Sequence, residues 1–485
     1  MEIANFAGWV AARLLPQSRL VDAASGVVLS GLRERLSAAA AAFLSRGLPA
    51  GGRVVVASRQ DPETALAILG AMHAGLVPVP VDASEHAAIE GLLDRTEALA
   101  LWSGRAEHVS LAGSRVFLQG HPDPVPGHAM AAVERQGADL AALMPTSGTT
   151  GSPRLVMVTH ANLIANTSAI IQSQGLGPAD VAMLILPLSY CFGASVLFSH
   201  LAVGGSVVLD RRFMFPDKVL QAMADQACST FAGVPSVYNI LLRRSSLGKT
   251  PLPALRRLLQ AGGRLAPEHV DEVCQRLPHA EFHVMYGQTE ATSRIASLAP
   301  EHAASQRGSV GRALSNLRLR IVDEQRRPLP PMQVGAIEAS GPSICPGYWD
   351  DAPASAQRFP DDWLRTGDRG WMDDQGYLWI DGRNGDFLKI RGRRVSYAEI
   401  EGAAQAVPGV HEAAVLSSRD PEAGEVPIVC VVPATADDVD GLAERVRQAL
   451  PVAWTCSRVV VLPSFPLNAS GKLDRNALRS RVDTE

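Results

Sequence analysis

"RVVVASRQDPETALAILGAMHAGLVPVPVD" runs from Arg53 to Asp82. Its two ends, "RVVVAS" and "VPVPVD", are short apolar runs of the kind found in buried strands. The middle reads as a helix. Asp61 stands at the N-cap, Pro62 in the first turn, and Gly75 just past the end. Strand, helix and strand in this order make one unit of a layered α/β fold.

The same rhythm continues downstream. "VAMLILPL", "GASVLFSHLAVGG" and "SVVLD" repeat it, followed by "FPDKVLQAMADQA", "STFAGV", "SVYNILLRR", "LRRLLQAG", "APEHVDEVCQRL" and "EFHVMY". After about Ala299 the texture changes. "LRLRIVDEQRRPLPPMQVGAIEAS" and "GYLWIDGR" read as strands and turns, so a β-rich subdomain is expected from about residue 300. From Asp386 a small α+β unit follows, with strands in "DFLKIRG" and "RRVS" and a helix from Tyr397. The expected organisation is a large core domain over 1–383 and a small C-terminal domain over 384–485.

Bulk composition narrows the function. The chain has 485 residues, 47% hydrophobic and 19% charged, with a formal net charge of −4. No basic excess points to nucleic acid, and no apolar run is long and clean enough to span a bilayer. The opening "MEIANFAGWVAARLLPQS" lacks a positive segment followed by an apolar one, so no signal peptide is expected. Six scattered cysteines with no C-x-x-C pair fit free thiols in a reducing cytoplasm.

The chemistry begins at "TSGTTGSPR", Thr146 to Arg154, between two strand-like stretches. A Walker A loop needs G-x-x-x-x-G-K-[ST] between strand and helix. Gly148 and Gly151 have the wrong spacing, and Gly471-Lys472 has no glycine at the required upstream position. Phosphate is still the natural ligand. Glycines let backbone N–H groups approach an anion. Thr146, Ser147, Thr149 and Thr150 add neutral donors, and Arg154 adds a charged one.

Four further motifs follow: "YGQTEAT" (286–292), "RTGD" (365–368), "GRNGDFLKIRGRRVSYAEIE" (382–401) and "PLNASGKLDRNAL" (466–478). In this order, with "GLPAGGRVVV" and "GYWDDAPASAQRF", the chain strongly resembles the acyl-adenylate-forming superfamily. That superfamily includes acyl- and aryl-CoA synthetases, peptide-synthetase adenylation domains and luciferases.

The resemblance implies ATP-dependent activation of a carboxylic acid to an acyl-adenylate, then transfer to a thiol. It assigns the residues as follows. Thr146, Ser147, Gly148, Thr149, Thr150, Gly151 and Arg154 would hold the β- and γ-phosphates. Relatives usually carry lysine where Arg154 stands. Gly262, Gly263 and Tyr286 would line the adenine. Thr289 would contact the α-phosphate and Glu290 would hold Mg²⁺. Asp368, with Arg383, would bind the ribose hydroxyls, and Lys472 would be the adenylation catalyst. The C-terminal domain would act as a mobile lid, with Gly385 as hinge and Gly392 lining the thiol's tunnel.

"LPLSYCFGASVL" (186–197) corresponds to the start of the acyl pocket, with Tyr190, Phe192, Gly193 and Val234 as its candidates. Amino-acid-activating relatives place an aspartate where Gly193 stands. Without it a buried ammonium would lack a partner, so a fatty, hydroxy or aryl acid is expected. The expected thiol acceptor is coenzyme A, or alternatively the phosphopantetheine of a carrier protein; Arg391, Arg393 and Arg394 suit either. A third reading, a non-catalytic nucleotide-binding protein, rests on Arg154 and Gly385 alone. Glu290, Asp368, Arg383 and Lys472 stand against it.

Overall fold

The strand Arg53–Ser58 is buried along nearly its whole length. Continuous burial requires cover on both faces, which is the setting of a parallel sheet. It lies between Val77–Asp82 and Ala100–Ser103, with Val116–Leu118 beyond, all parallel. The intervening helix is Pro62–His73, and the Asp61 side chain accepts from the Thr64 N–H at 2.9 Å. Such a cap contributes about 1 kcal/mol. Every residue of this helix except Glu63 is buried, so it packs on all sides rather than along one stripe.

The structure is a computed structural model. It describes residues 4–146, 154–383, 387–390, 393–420, 424–435, 439–451, 454, 456, 458–468 and 470–484. The chain divides into two compact units: residues 1–319 with 338–365, and residues 320–337 with 366–485.

In the first unit a nine-stranded sheet carries the longest run of sequence-legible elements. Its order is Arg312–Ala313, Ala296–Leu298, Glu281–Tyr286, Arg257–Gln260, Thr230–Gly233, Val181–Leu184, Ser206–Leu209, Leu20–Asp22 and Val28–Leu29. The six strands from Glu281–Tyr286 to Leu20–Asp22 run parallel to their neighbours. Ligands bind beyond the carboxyl ends of such strands, and four of them end in candidate site segments. A third sheet is small and antiparallel: Gly347–Tyr348, Leu155–Thr159 and Leu140–Pro145.

In the second unit, strands Leu364–Met372, from Thr366 onward, and Leu378–Arg383 pair antiparallel, with Trp371 and Trp379 stacked at 4.1 Å. A further sheet has the order Arg393–Ser396, Phe387–Ile390, Gly424–Pro433 and Val410–Asp420. Arg458–Val461 pairs parallel to Gly424–Pro433. The helix Tyr397–Gln405 packs on this sheet and starts with a reciprocal cap between Ser396 and Glu399. Fold class is therefore mixed α/β, with a large layered body and a small α+β unit, as the sequence implies.

Candidate active site

The glycine-rich loop leaves and re-enters an antiparallel strand pair. At its base, the Thr146 N–H donates to the Arg154 carbonyl at 2.9 Å, and the Thr146 hydroxyl donates to the same oxygen at 3.3 Å. The two ends are thus pinned together. The candidates Ser147, Gly148, Thr149, Thr150 and Gly151 lie outside the described residues, as do Gly385, Arg391 and Gly392 and the side chains of Arg393 and Arg394. Arg154 has two partners. Its Nε donates to Asp351 Oδ2 at 3.3 Å, and its guanidinium lies over the Tyr348 ring at 5.3 Å. Half-exposed ion pairs of this kind contribute up to about 1 kcal/mol. Arg154→Lys should therefore keep activity within roughly fivefold of the parent, measured as ATP–pyrophosphate exchange. A far larger loss would show that the loop depends on the guanidinium's shape.

"YGQTEAT" forms a tight reversal after the strand Glu281–Tyr286. A Cβ on Gly287 would lie 1.8 Å from the Ser293 carbonyl oxygen, so only glycine fits. Thr292 closes the reversal at φ +66°, its hydroxyl donating to the Ser343 carbonyl at 2.8 Å. Between them, Thr289 and Glu290 are both nearly buried. The Thr289 hydroxyl donates to Cys191 Sγ at 3.4 Å, and the Cys345 thiol reaches the Thr289 carbonyl at 3.6 Å. Burial pushes the Cys345 thiol up to about 12, so it stays a neutral packing group.

Glu290 is the centre of a polar cluster that sequence reasoning did not find. Tyr348 donates its hydroxyl to Glu290 Oε1 at 2.7 Å, and Arg358 Nη2 lies 3.5 Å from the same oxygen. Arg358 Nη2 also donates to Gln288 Oε1 at 2.7 Å. Burial, and then the negative charge of Glu290, push the Tyr348 phenol well above its usual range, so it remains a donor. The signal for Tyr348 and Arg358 lay in "GYWDDAPASAQRF", which was legible as a resemblance but carried no assigned chemistry.

Glu290 Oε2 accepts no hydrogen bond among the described residues, and no cluster of three metal-ligating side chains exists among them. One available carboxylate oxygen fits Mg²⁺ bound chiefly by phosphates and water.

The nucleoside candidates leave neighbouring parallel strands at their carboxyl ends. Tyr286 ends Glu281–Tyr286, and Gly262 and Gly263 follow Arg257–Gln260. Gly262 has φ +87°, which suits glycine, and the Gly263 carbonyl accepts from Gln260 Nε2 at 2.8 Å. Val234 follows the next strand, Thr230–Gly233, and is fully buried at the start of the helix Pro235–Arg244.

Tyr190 and Phe192 open the helix Cys191–Ala202, their rings edge to face at 6.2 Å. The opposite face of that helix, with Ala194, Ser195 and Phe198, lines an apolar cavity shared with Met72 and Leu163. None of the four acyl-pocket candidates borders it. Gly193 has a steric reason of its own. A Cβ there would lie 2.3 Å from the Pro187 carbonyl oxygen and 2.8 Å from that of Leu186. Gly193→Asp should cost about 1–3 kcal/mol of stability by overpacking, read as a lowered melting temperature. An unchanged melt would show that the 186–187 turn yields freely.

In the second unit, antiparallel pairing sets Asp368 directly opposite Arg383. Arg383 Nε donates to Asp368 Oδ1 at 3.3 Å, and the Asp368 N–H donates to the Thr366 hydroxyl at 3.2 Å. The carboxylate is nearly buried, whereas the arginine is largely exposed. Lys472 sits on a turn built by Asn468. The Asn468 side-chain oxygen accepts from the N–H groups of Ser470 and Lys472, each at 3.0 Å. The Asn468 N–H donates back to the Lys472 carbonyl at 2.8 Å, and Gly471 supplies φ +75°. The spacing of "NASGK" is therefore an Asx turn that presents the lysine.

The profile of the AMP-binding enzyme family matches residues 29–349, and that of the AMP-binding enzyme C-terminal domain matches 399–472.

The chain belongs to the AMP-binding enzyme family.

It is an AMP-forming ligase of the acyl-CoA synthetase kind, and ATP is its nucleotide. A 2-succinylbenzoate–CoA ligase of Bacillus velezensis is 32% identical over 340 residues, 70% of this chain and 68% of that protein. Tyrocidine synthase 3 of Brevibacillus parabrevis is 30% identical over 482 residues, 95% of this chain but 7% of that much longer protein. ATP-bound MatB from Rhodopseudomonas palustris superposes with a TM-score of 0.87 at 27% identity, covering 99% of this chain and 98% of that one. No helix among the described residues is long and apolar enough to cross a membrane.

Proposed function

We propose that this family member activates a fatty, hydroxy or aryl acid, rather than an α-amino acid, and passes it to coenzyme A in the cytoplasm. The observation that carries the reading is the polar cluster around Glu290, beside the carboxyl ends of the parallel strands. A carboxylate oxygen of the acid attacks the α-phosphorus of ATP. The bond from that phosphorus to the bridging oxygen breaks, and pyrophosphate leaves. The thiol sulfur then attacks the acyl carbon, its proton goes to solvent, and AMP leaves.

Each residue has a physical task in this reading. Thr146, Ser147, Gly148, Thr149, Thr150, Gly151 and Arg154 bind the departing phosphates with hydroxyls, backbone N–H groups and one cation. Tyr286, Gly262 and Gly263 hold the adenine, and Asp368 with Arg383 holds the ribose. Thr289 orients the α-phosphate. Glu290 is itself oriented by Tyr348 and Arg358. Mg²⁺ held there would neutralise charge on the phosphate oxygens. Lys472 neutralises the charge that develops as carboxylate and α-phosphate join. Residues 384–485 form the lid that serves the two half-reactions in turn, with Gly385 as its hinge and Gly392 beside the thiol.

The acyl assignment draws on the relatives named above, among them the 2-succinylbenzoate–CoA ligase. It also draws on the absence of a carboxylate at position 193. Free thiols at all six cysteines suit a reducing compartment. The test is a panel of carboxylic acids scored by ATP–pyrophosphate exchange, followed by thioester assays with coenzyme A and with a phosphopantetheinylated carrier protein. Exchange with non-amino acids and thioester formation on coenzyme A are expected. Thioester on the carrier alone would move the acceptor. Preference for α-amino acids would overturn the substrate class.

A further inference from the structure

Among the described residues, Arg294 is the one large charged side chain in the most deeply buried group, with 1% of its surface exposed. Among the described residues no carboxylate lies within ion-pair distance of it. Arg257 shows the usual arrangement for a buried arginine here. It pairs with Asp180 at 2.8 Å and donates to the carbonyls of Gln174 and Gly175. Arg294 has instead the sulfur of Met285 against Nη1 and the face of Phe192 at 5.1 Å. Its electrostatic neighbours are the Cys191 thiol and the Tyr190 phenol. The adjacent His283 does not supply the missing charge, since burial holds it at about 4 and neutral.

A thioether and an aromatic face offset little of what removing a guanidinium from water costs. Burial lowers the Arg294 pKa only to about 10, so the charge persists at neutral pH. A methionine would fill the same space without that cost. The backbone that carries it is also held in place. Asn166 Nδ2 donates to the Arg294 carbonyl at 2.8 Å, and the Arg294 N–H donates to Asn166 Oδ1 at 3.2 Å. Arg294 lies four residues beyond Glu290 and packs on Phe192, one of the residues expected to bound the acyl group.

We infer that Arg294 is a specificity residue that pairs with a second anionic group, a distal carboxylate, on the acid being activated. The inference rests on the adenylation reading above and narrows its substrate class. A buried cation here also repels an ammonium, which agrees with the exclusion of α-amino acids.

The test uses the full chain and matched acids: aliphatic and benzene dicarboxylates, their monoamides and the plain monoacids. In ATP–pyrophosphate exchange, the parent should prefer a dicarboxylate to its monoamide by roughly tenfold or more in kcat/KM, the scale of one charge-assisted bond. Arg294→Met should abolish or invert that preference, and Arg294→Lys should keep part of it. Equal use of diacid and monoamide by the parent would overturn the inference while leaving adenylation intact. Exchange with no acid of the panel would sink both. Thermal melting gives a readout independent of the acid. Arg294→Met should melt at the same or a higher temperature, because an unpaired buried charge is removed. A marked fall would show the guanidinium to be a structural element and overturn its role in specificity.

Discussion

Lys472→Ala should lose acyl-adenylate formation almost completely, by roughly 100- to 1,000-fold in kcat, the scale of removing one preorganised charge from a transition state. Two anions, a carboxylate and a phosphate, must come together in this step, and no neutral side chain can offset their repulsion. The same variant should convert a supplied acyl-adenylate to thioester at close to the parent rate, because that step joins a neutral carbonyl and a thiol. Its fold should be intact. The turn around Lys472 is held by Asn468 and Gly471 through backbone groups that alanine retains. Pyrophosphate exchange at the parent rate would remove Lys472 from the chemistry.

Asp368→Ala should raise the KM for ATP by roughly tenfold or more, since a carboxylate accepting from hydroxyls contributes about 1.5–3 kcal/mol. The effect on folding should be small by comparison. Arg383, its partner at 3.3 Å, is largely exposed, and such pairs contribute little to stability. ATP dependence and melting temperature therefore separate the two roles. An unchanged KM for ATP together with a lowered melt would make the Asp368–Arg383 pair a brace of the antiparallel strands and place the ribose elsewhere.

Much of the fold is legible in the sequence because local signals agree with tertiary placement. "RVVVAS" and "VPVPVD" are apolar without alternation, and both occur as buried parallel strands. Asp61 and Pro62 start their helix as their chemistry dictates. Where local signals were weaker, boundaries moved. "GASVLFSHLAVGG" reads as a helix from Gly193, yet the helix begins at Cys191 and ends at Ala202. The final helix, Arg475–Thr484, has no clear signature in the sequence, since "RNALRSRVDT" is polar on most faces. It is held by Leu478 and Val482 against the sheet residues Ala414, Leu416, Ile428 and Cys430.

The candidate site divides the same way. Sequence alone determined the residue types and the order of the five motifs. The reason for glycine at 287 and 471 came only with the structure, where a Cβ at 287 would meet the Ser293 carbonyl oxygen and the turn at 471 needs a positive φ. Tertiary structure decided which side chains meet. Tyr348 and Arg358 reach Glu290 from 58 and 68 residues away. Asp351 takes Arg154 across 197 residues, and antiparallel pairing sets Asp368 against Arg383. Arg294 makes the same point most sharply. In the sequence it is one arginine among many, with nothing local to mark it. Its meaning comes from burial with no carboxylate partner among the described residues, and burial is a property of the packed core that no local pattern encodes.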